Sequence, residues 1–358
     1  MATPIDNLTD TLTDSRTDTG KRRSLQSPKS QIPRRLDSRD HGILAKQPKH
    51  DRWAAGLPDR TAIIRLMAAS VTSLMTSLLA GHVQAATPVL DEIRTTGTLR
   101  VAIASRAVPL SFRYPDGRLD GYCLDLIHEI AETLATELNL NRRPLVKIVE
   151  SQLDTRFDLI RSQTVQLECG PNTIQPIEGV SFSEPFLVTG IQFLSERESL
   201  PSLDSFSPQQ TQAAIVLGAL RNSTTANVIA DRYPNATIET FAGSVGIRRG
   251  IEALQGQLSA FATDSLLLIG ELALAGQSLD DYRLSPEVPL ACSPYGLLLP
   301  TDDPAWIDLV NRVLASDRGA ELWGNWFSNV DRYLQAAEEF CEIEVIPAQN
   351  VRAERDRG

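Results

Sequence analysis

The stretch RFDLIRSQTVQLECGPNT, Arg156 to Thr173, joins a short helix directly to a short strand. RFDLIRSQ reads as a helix that begins near Arg156. VQLECG reads as a strand, and Gly170-Pro171 ends it because proline has no amide hydrogen with which to extend a ladder. A carboxylate, a thiol and two polar side chains crowd the last seven positions, Leu167–Thr173. The thiol reads as a nucleophile only if a base stands near it. The alternative is a strand end at a cleft, with Asn172 and Thr173 facing a ligand and with Glu168 and Cys169 supporting the domain behind them.

The same alternation extends in both directions. TLRVAIAS reads as a buried strand, and DGRLDGYCLDLIHEIAETLATELNL as a turn at Asp116-Gly117 followed by a helix with Leu124, Ile127, Ile130, Leu134 and Leu138 at helical spacing. LVKIVE is the next strand. Beyond GIQFLSE, a polar loop gives way to a strand expected over Ala213–Leu217, then to a helix in NSTTANVIADRYP capped by Ser223 or Thr224. ATIETFA, VGIRRGIEALQGQ and LSAFATDSLLLIGELALA continue as strand, helix, and a strand that turns into a helix at Thr263-Asp264. YGLLLP and one long amphipathic stretch, DPAWIDLVNRVLASDRGAELWGNWF, close the order. Short apolar runs alternating with helical periods are the signature of α/β architecture.

The 358 residues leave room for two domains and a leader. Residues 1–60 carry Pro28, Pro33, Pro48 and Pro58 among many Ser, Thr and Asp with no amphipathic period, and are expected to be disordered. Residues 61–85 read as a secretory signal peptide: Arg65 precedes the uncharged run Leu66–Ala80, and Val83-Gln84-Ala85 makes a small-x-small site. An uncleaved anchor is the alternative, although the apolar core of roughly 15 residues is shorter than the ~20 of a membrane span. A start downstream of Met1 would account for the length of the leader.

The chain has 35 basic and 45 acidic residues, and the basic excess lies in the leader, so the part from Ala86 onward carries a net charge near −15. Such a surface does not seek nucleic acid or anionic lipid, and any bound anion must be held by a few local donors. Cys123, Cys169, Cys292 and Cys341 all follow the signal, so an oxidising compartment and one or two disulfides are expected, with three full pairings open.

His128 is the one histidine after the signal, which nearly excludes histidine triads and histidine zinc sites; no metal or other cofactor is expected. G-x-S-x-G, H-E-x-x-H and the phosphate-binding loop are all missing. An acid pair for glycoside hydrolysis finds no distinctive spacing. What remains is a set of polar residues at strand ends and helix starts: Arg156, Asn172 and Thr173, Thr224 and Thr225, and Asp264. In open α/β sheets those positions line the ligand crevice. An arginine grips a carboxylate through two parallel hydrogen bonds, and an aspartate on the opposite wall suits an ammonium, so together they suit a zwitterion. Each also has a plain role as a cap or a surface residue.

From about Leu90 to Asp331 the sequence resembles the extracytoplasmic amino-acid-binding proteins of ABC importers, solute-binding protein family 3, and within it the glutamate/aspartate-type group. LDEIRTTGTLRVAI, VPLSFRYPDGRLDGYCLDL, VSFSEPFLVTG, NSTTANVI, LSAFATDSLLLIGE and GAELWGNWF carry the resemblance together with the opening stretch. It implies a two-lobed periplasmic-binding-protein fold of type II, with two crossovers and the ligand in the cleft. Lobe 1 would be residues 86–194 and 296–340, lobe 2 residues 195–295, and residues 341–358 a C-terminal tail. It implies that Arg156 grips the ligand's α-carboxylate, that Thr173, Thr224 and Thr225 support it, and that Asp264 accepts from the α-ammonium.

The basic side-chain anchor of that group lines up nearer Ala104 than Arg106, the strand-end serine is Pro171, and its cleft histidine has no counterpart in GSVGIRRG. Arg106, with Arg248 and Arg249, is the basic residue left to meet a side-chain carboxylate, which favours glutamate or aspartate over neutral polar amino acids such as glutamine. The implied protein is a periplasmic monomer that delivers a free amino acid to permease subunits. A sensory ectodomain of the same fold, or a wall-degrading lyase with such a domain, are the other readings.

Overall fold

The computed structural model describes residues 88–197 and 215–355. The expected leader, signal peptide and cleavage site lie outside these residues, as do Ala213 and Ala214 of the strand expected over Ala213–Leu217.

The first lobe opens with α1 (Val89–Thr96), which Gly97 ends in the left-handed region at φ 62°. Then follow β1 (Thr98–Ile103), the short antiparallel strands β2 (Arg106–Ala107), β3 (Ser111–Arg113) and β4 (Leu119–Asp120), and α2 (Tyr122–Glu137). Gly121 precedes α2 at φ 128°, and a Cβ there would lie 2.5 Å from the carbonyl oxygen of Leu110, so only glycine lets the helix start against that turn. The inner face of α2 buries Leu126, Ile127, Ile130 and Leu134, three of them among the expected positions.

Next come β5 (Leu145–Glu150), α3 (Arg156–Arg161), β6 (Leu167–Cys169), β7 (Ser181–Phe182) and the long β8 (Leu187–Glu196). The second sheet continues with β9 (Val216–Leu220), which begins three residues later than the sequence suggests. It is followed by α4 (Thr224–Arg232), β10 (Thr237–Phe241), α5 (Gly246–Glu252), β11 (Ala260–Asp264), α6 (Ser265–Leu274) and β12 (Tyr282–Ser285). β13 (Cys292–Tyr295) and β14 (Leu298–Leu299) lead to α7 (Pro304–Leu314), α8 (Asp317–Phe327), α9 (Asp331–Cys341) and α10 (Ile346–Arg355).

One sheet has the order β5-β1-β6-β14-β7 and the other β10-β9-β11-β8-β12. Each contains a parallel trio: β1 between β5 and β6, and β9 between β10 and β11. β8 links the two. Its first residues pair antiparallel with β13, from Leu187 with Tyr295 to Gly190 with Cys292, and the rest of it runs beside β11 and β12. β8 and β13 are thus the two crossovers of a two-lobed α/β fold, laid side by side.

Two expectations about the C-terminal region change. The single long amphipathic stretch is two helices, because Ser316 caps a new one by accepting from the Gly319 amide at 3.0 Å. The described part of the stretch expected as a C-terminal tail carries a helix: α10 packs on α8, and Arg352 bridges Asp331 at 2.5 Å and Glu338 at 2.6 Å. The cysteines pair as Cys123–Cys169, tying α2 to β6, and Cys292–Cys341, tying the second crossover to the end of α9.

Candidate binding cleft

The parallel strands of both sheets direct their carboxyl ends to one place, and the loops that follow them line two adjoining cavities. The first, ≈ 80 Å³ open to water centres, is walled by segments after β1, β5 and β6 (Ala104 to Ala107, Ser151 to Leu153, Arg156, Glu168, Pro171) and by Leu220, Ser244, Ile247 and Leu267 from the other lobe. The second, ≈ 40 Å³, shares Leu153, Arg156, Pro171, Leu220 and Leu267 with it and adds Thr173, Thr224, Thr225 and Asp264. A water needs roughly 10–15 Å³ of such space, so the pair admits a small solute of several heavy atoms.

Arg156 stands where the two cavities meet. Its Nη1 donates to the carbonyl of Leu153, its guanidinium lies 4.3 Å from the centre of the Phe157 ring, and its Nε is buried with no acceptor among the described residues. Burial holds its pKa below the usual arginine range, against the pull of Glu168. A desolvated guanidinium with a free N–H is prepared for an anion.

Glu168 explains much of the opening stretch. It is fully buried, and its carboxylate accepts from Ser151 Oγ at 2.7 Å and from Asn172 Nδ2 at 2.5 Å. Burial pushes its pKa up, while these two donors and Arg156 pull it down. Asn172 therefore does not face the cleft as expected: it is 1% exposed and lies behind the wall, because a buried carboxylate needs donors more than the solvent-filled cleft does. Thr173 does reach the cavity, held by a bridge to Tyr295.

Across the cleft, Ser223 rather than Thr224 caps α4, its Oγ accepting from the Ala226 amide at 3.1 Å. That leaves Thr224 and Thr225 to line the cavity at the helix start, where amide hydrogens favour an anion. Asp264 likewise makes no capping bond to α6. Its Oδ2 accepts from Tyr295 Oη at 2.6 Å, and its Oδ1 is buried with no partner among the described residues. Burial raises its pKa, with the hydroxyls of Ser293 and Tyr295 acting the other way. Arg106 lines the first cavity, engaged with Glu271. Arg248 and Arg249 are exposed on α5 and do not line either cavity.

Residue type and spacing thus brought Arg156, Thr173, Thr224, Thr225 and Asp264 together, and the structure adds Glu168, Ser151, Ser244 and Tyr295. Nothing in the sequence singles out Ser244 or Tyr295. Glu168 did carry a signal, as an acid at the end of an apolar strand.

The segments that build both sheets and the cleft coincide with residues 99–324, which match the description "bacterial extracellular solute-binding proteins, family 3" over more than half of the chain. The chain belongs to that family. Among curated proteins it is similar to the glutamate/aspartate import solute-binding protein of Escherichia coli, 26% identical over 253 residues, covering 68% of this chain and 81% of that one. It is also similar to the L-glutamate/L-aspartate-binding protein of Pseudomonas aeruginosa, 26% identical over 274 residues, covering 72% and 86%.

Among solved structures, an ancestral amino acid-binding protein described as a precursor of cyclohexadienyl dehydratase superposes with a TM-score of 0.55 at 21% identity, over 69% of this family member and 100% of that chain. A putative ABC-transporter binding component from Wolinella succinogenes complexed with lysine gives 0.55 at 20%, over 64% and 96%. Both likenesses concern the fold. Among the described residues no helix is long and apolar enough to cross a membrane.

Proposed function

We propose that this protein binds a free polar amino acid outside the cytoplasmic membrane by closing two lobes on it, and delivers it to the permease subunits of an ABC importer. One observation carries the reading: a desolvated guanidinium with a free N–H and a buried carboxylate with a free oxygen line the same cavity, a match for an α-carboxylate and an α-ammonium. In this reading Arg156 grips the carboxylate with Thr173 and the Thr224-Thr225 helix start, and Asp264 accepts from the ammonium. The names of the curated relatives support an acidic side chain. The engagement of Arg106 by Glu271 supports a neutral one such as glutamine.

We read the lobes as residues 86–194 with 296–340 and residues 195–295, the molecule as a monomer, and residues 61–85 as a signal peptide cleaved after Ala85 to leave a periplasmic protein. N-terminal sequencing of the exported form checks the last point; an intact leader on cytosolic protein would overturn it. The free N–H of Arg156 and the free oxygen of Asp264 suit holding a ligand, which supports a binder over an enzyme. Isothermal titration against the twenty amino acids tests the whole reading, with saturable binding of at least one expected. Heat signals indistinguishable from dilution for all twenty would end it.

A further inference from the structure

Arg106, which lines the first cavity, is paired with Glu271, which stands behind it and lines neither cavity. Arg106 sits on β2 of the first lobe, and its Nη2 donates to Oε1 of Glu271, which is 4% exposed on α6 of the second. The approach depends on Gly270: a Cβ there would lie 2.1 Å from the carbonyl oxygen of Val108, so a side chain at 270 would hold α6 away from the turn that carries Arg106. The Nε of Arg106 is buried and has no acceptor among the described residues. Around it the cavity offers the apolar sides of Ala107, Ile247 and Leu267 and the uncharged polar groups of Ser105, Gln152 and Ser244. Arg156, the other cation of this cavity, already faces buried Glu168.

We propose that Glu271 is the specificity-determining residue of this cleft, and that by neutralising Arg106 it selects an amino acid with an uncharged amide side chain and rejects an acidic one. The inference rests on the amino-acid-binding reading above. An amide oxygen accepts from the free Nε of Arg106, its methylene stem lies along Ile247 and Leu267, and its NH₂ finds acceptors among Ser105, Gln152 and Ser244. A side-chain carboxylate in that place shares one guanidinium with Glu271 and leaves a buried negative charge without compensation. An uncharged acceptor leaves the Arg106–Glu271 pair balanced. The curated relatives are named for glutamate and aspartate, so the proposal gives this chain a ligand different from theirs.

Isothermal titration of the wild-type chain with glutamine, asparagine, glutamate and aspartate decides the point without any variant. The better amide is expected to bind at least ~30-fold more tightly than the better acid, about 2 kcal/mol. In Glu271→Gln, which keeps the size of the side chain and frees the charge of Arg106, that ratio is expected to shift at least tenfold toward the acid. Helix packing alone would weaken all four ligands together and leave the ratio where it was. A wild-type preference for glutamate or aspartate, or an unmoved ratio in folded Glu271→Gln, overturns the assignment while leaving amino-acid binding intact. Absence of binding by all twenty amino acids removes the underlying reading, and this one with it.

Discussion

Tyr295 and Asp264 are joined by a 2.6 Å hydrogen bond from the phenol to the carboxylate, which links the second crossover strand to the floor of the cleft. Tyr295 is itself fully buried, and burial beside Asp264 raises its pKa further, so it remains a donor across the ordinary pH range. The Asp264 carboxylate is therefore held by Tyr295 through one oxygen, while the other has no partner among the described residues.

This pairing gives ligand affinity and protein stability opposite pH dependences. Asp264 and Glu168 both have pKa values raised by burial. Between the ordinary carboxylate value near 4 and those raised values the folded state holds more protons than the unfolded one, so the stabilising contribution is lost as pH rises through the folded pKa. Lowering the pH toward those raised values is expected to raise the melting temperature of the ligand-free protein. The shift produced by a bound amino acid is expected to shrink over the same range, because a protonated Asp264 no longer attracts an ammonium. Thermal unfolding with and without ligand at several pH values measures both, and parallel curves would contradict the role given to Asp264.

Arg156→Ala should weaken binding by about 2–5 kcal/mol, at least ~30-fold, with the fold retained. Glu168 tolerates the loss of its neighbour because Ser151 and Asn172 still donate to it. Arg156→Lys should recover only part of the affinity, since an ammonium cannot reproduce two parallel donors. Titration calorimetry on both variants reads this out, and wild-type affinity in Arg156→Ala would place the carboxylate clamp elsewhere.

Gly270→Ala separates folding from closure. Alanine favours a helix interior by about 1 kcal/mol over glycine, so α6 itself is not weakened. The added methyl meets the Val108 carbonyl of the other lobe, however, and closure has to stop short. Expected results are a nearly unchanged melting temperature without ligand and a loss of affinity of tenfold or more, read from thermal unfolding and calorimetry on the same preparation.

Each disulfide closes a segment with a sequence separation near fifty residues, 46 for Cys123–Cys169 and 49 for Cys292–Cys341. On the chain-entropy account each contributes about 4 kcal/mol. Replacing either pair by serines should lower the melting temperature by roughly 10 °C in a chain of this size. Equal unfolding curves for the oxidised and fully reduced protein would contradict that.

The sequence made the order of strands and helices legible because apolar periodicity is local, as in the face of α2. It also pointed to Arg156, Thr173, Thr224, Thr225 and Asp264, which line one cavity, since strand ends and helix starts can be located without knowing what they face. Asn172 was misplaced for the complementary reason. Whether its amide turns to the cleft or to Glu168 depends on the burial of Glu168, which emerges only when β6 is enclosed by β1 and β14. The Arg106–Glu271 contact joins residues 165 positions apart in different lobes, and no local pattern announces it. The cysteine pairing was equally out of reach, because all three connectivities satisfy the same spacing.

The disulfides also decide what a protease can do to this molecule. A single cut between residues 124 and 168, or between 293 and 340, leaves the two fragments covalently joined, so the nicked chain migrates as one species until it is reduced. A cut between residues 170 and 291 has no such tether, and the halves are then held by strand pairing and packing alone. Which side of Cys169 and Cys292 a protease reaches thus decides whether its cut is hidden until reduction or opens the molecule at once.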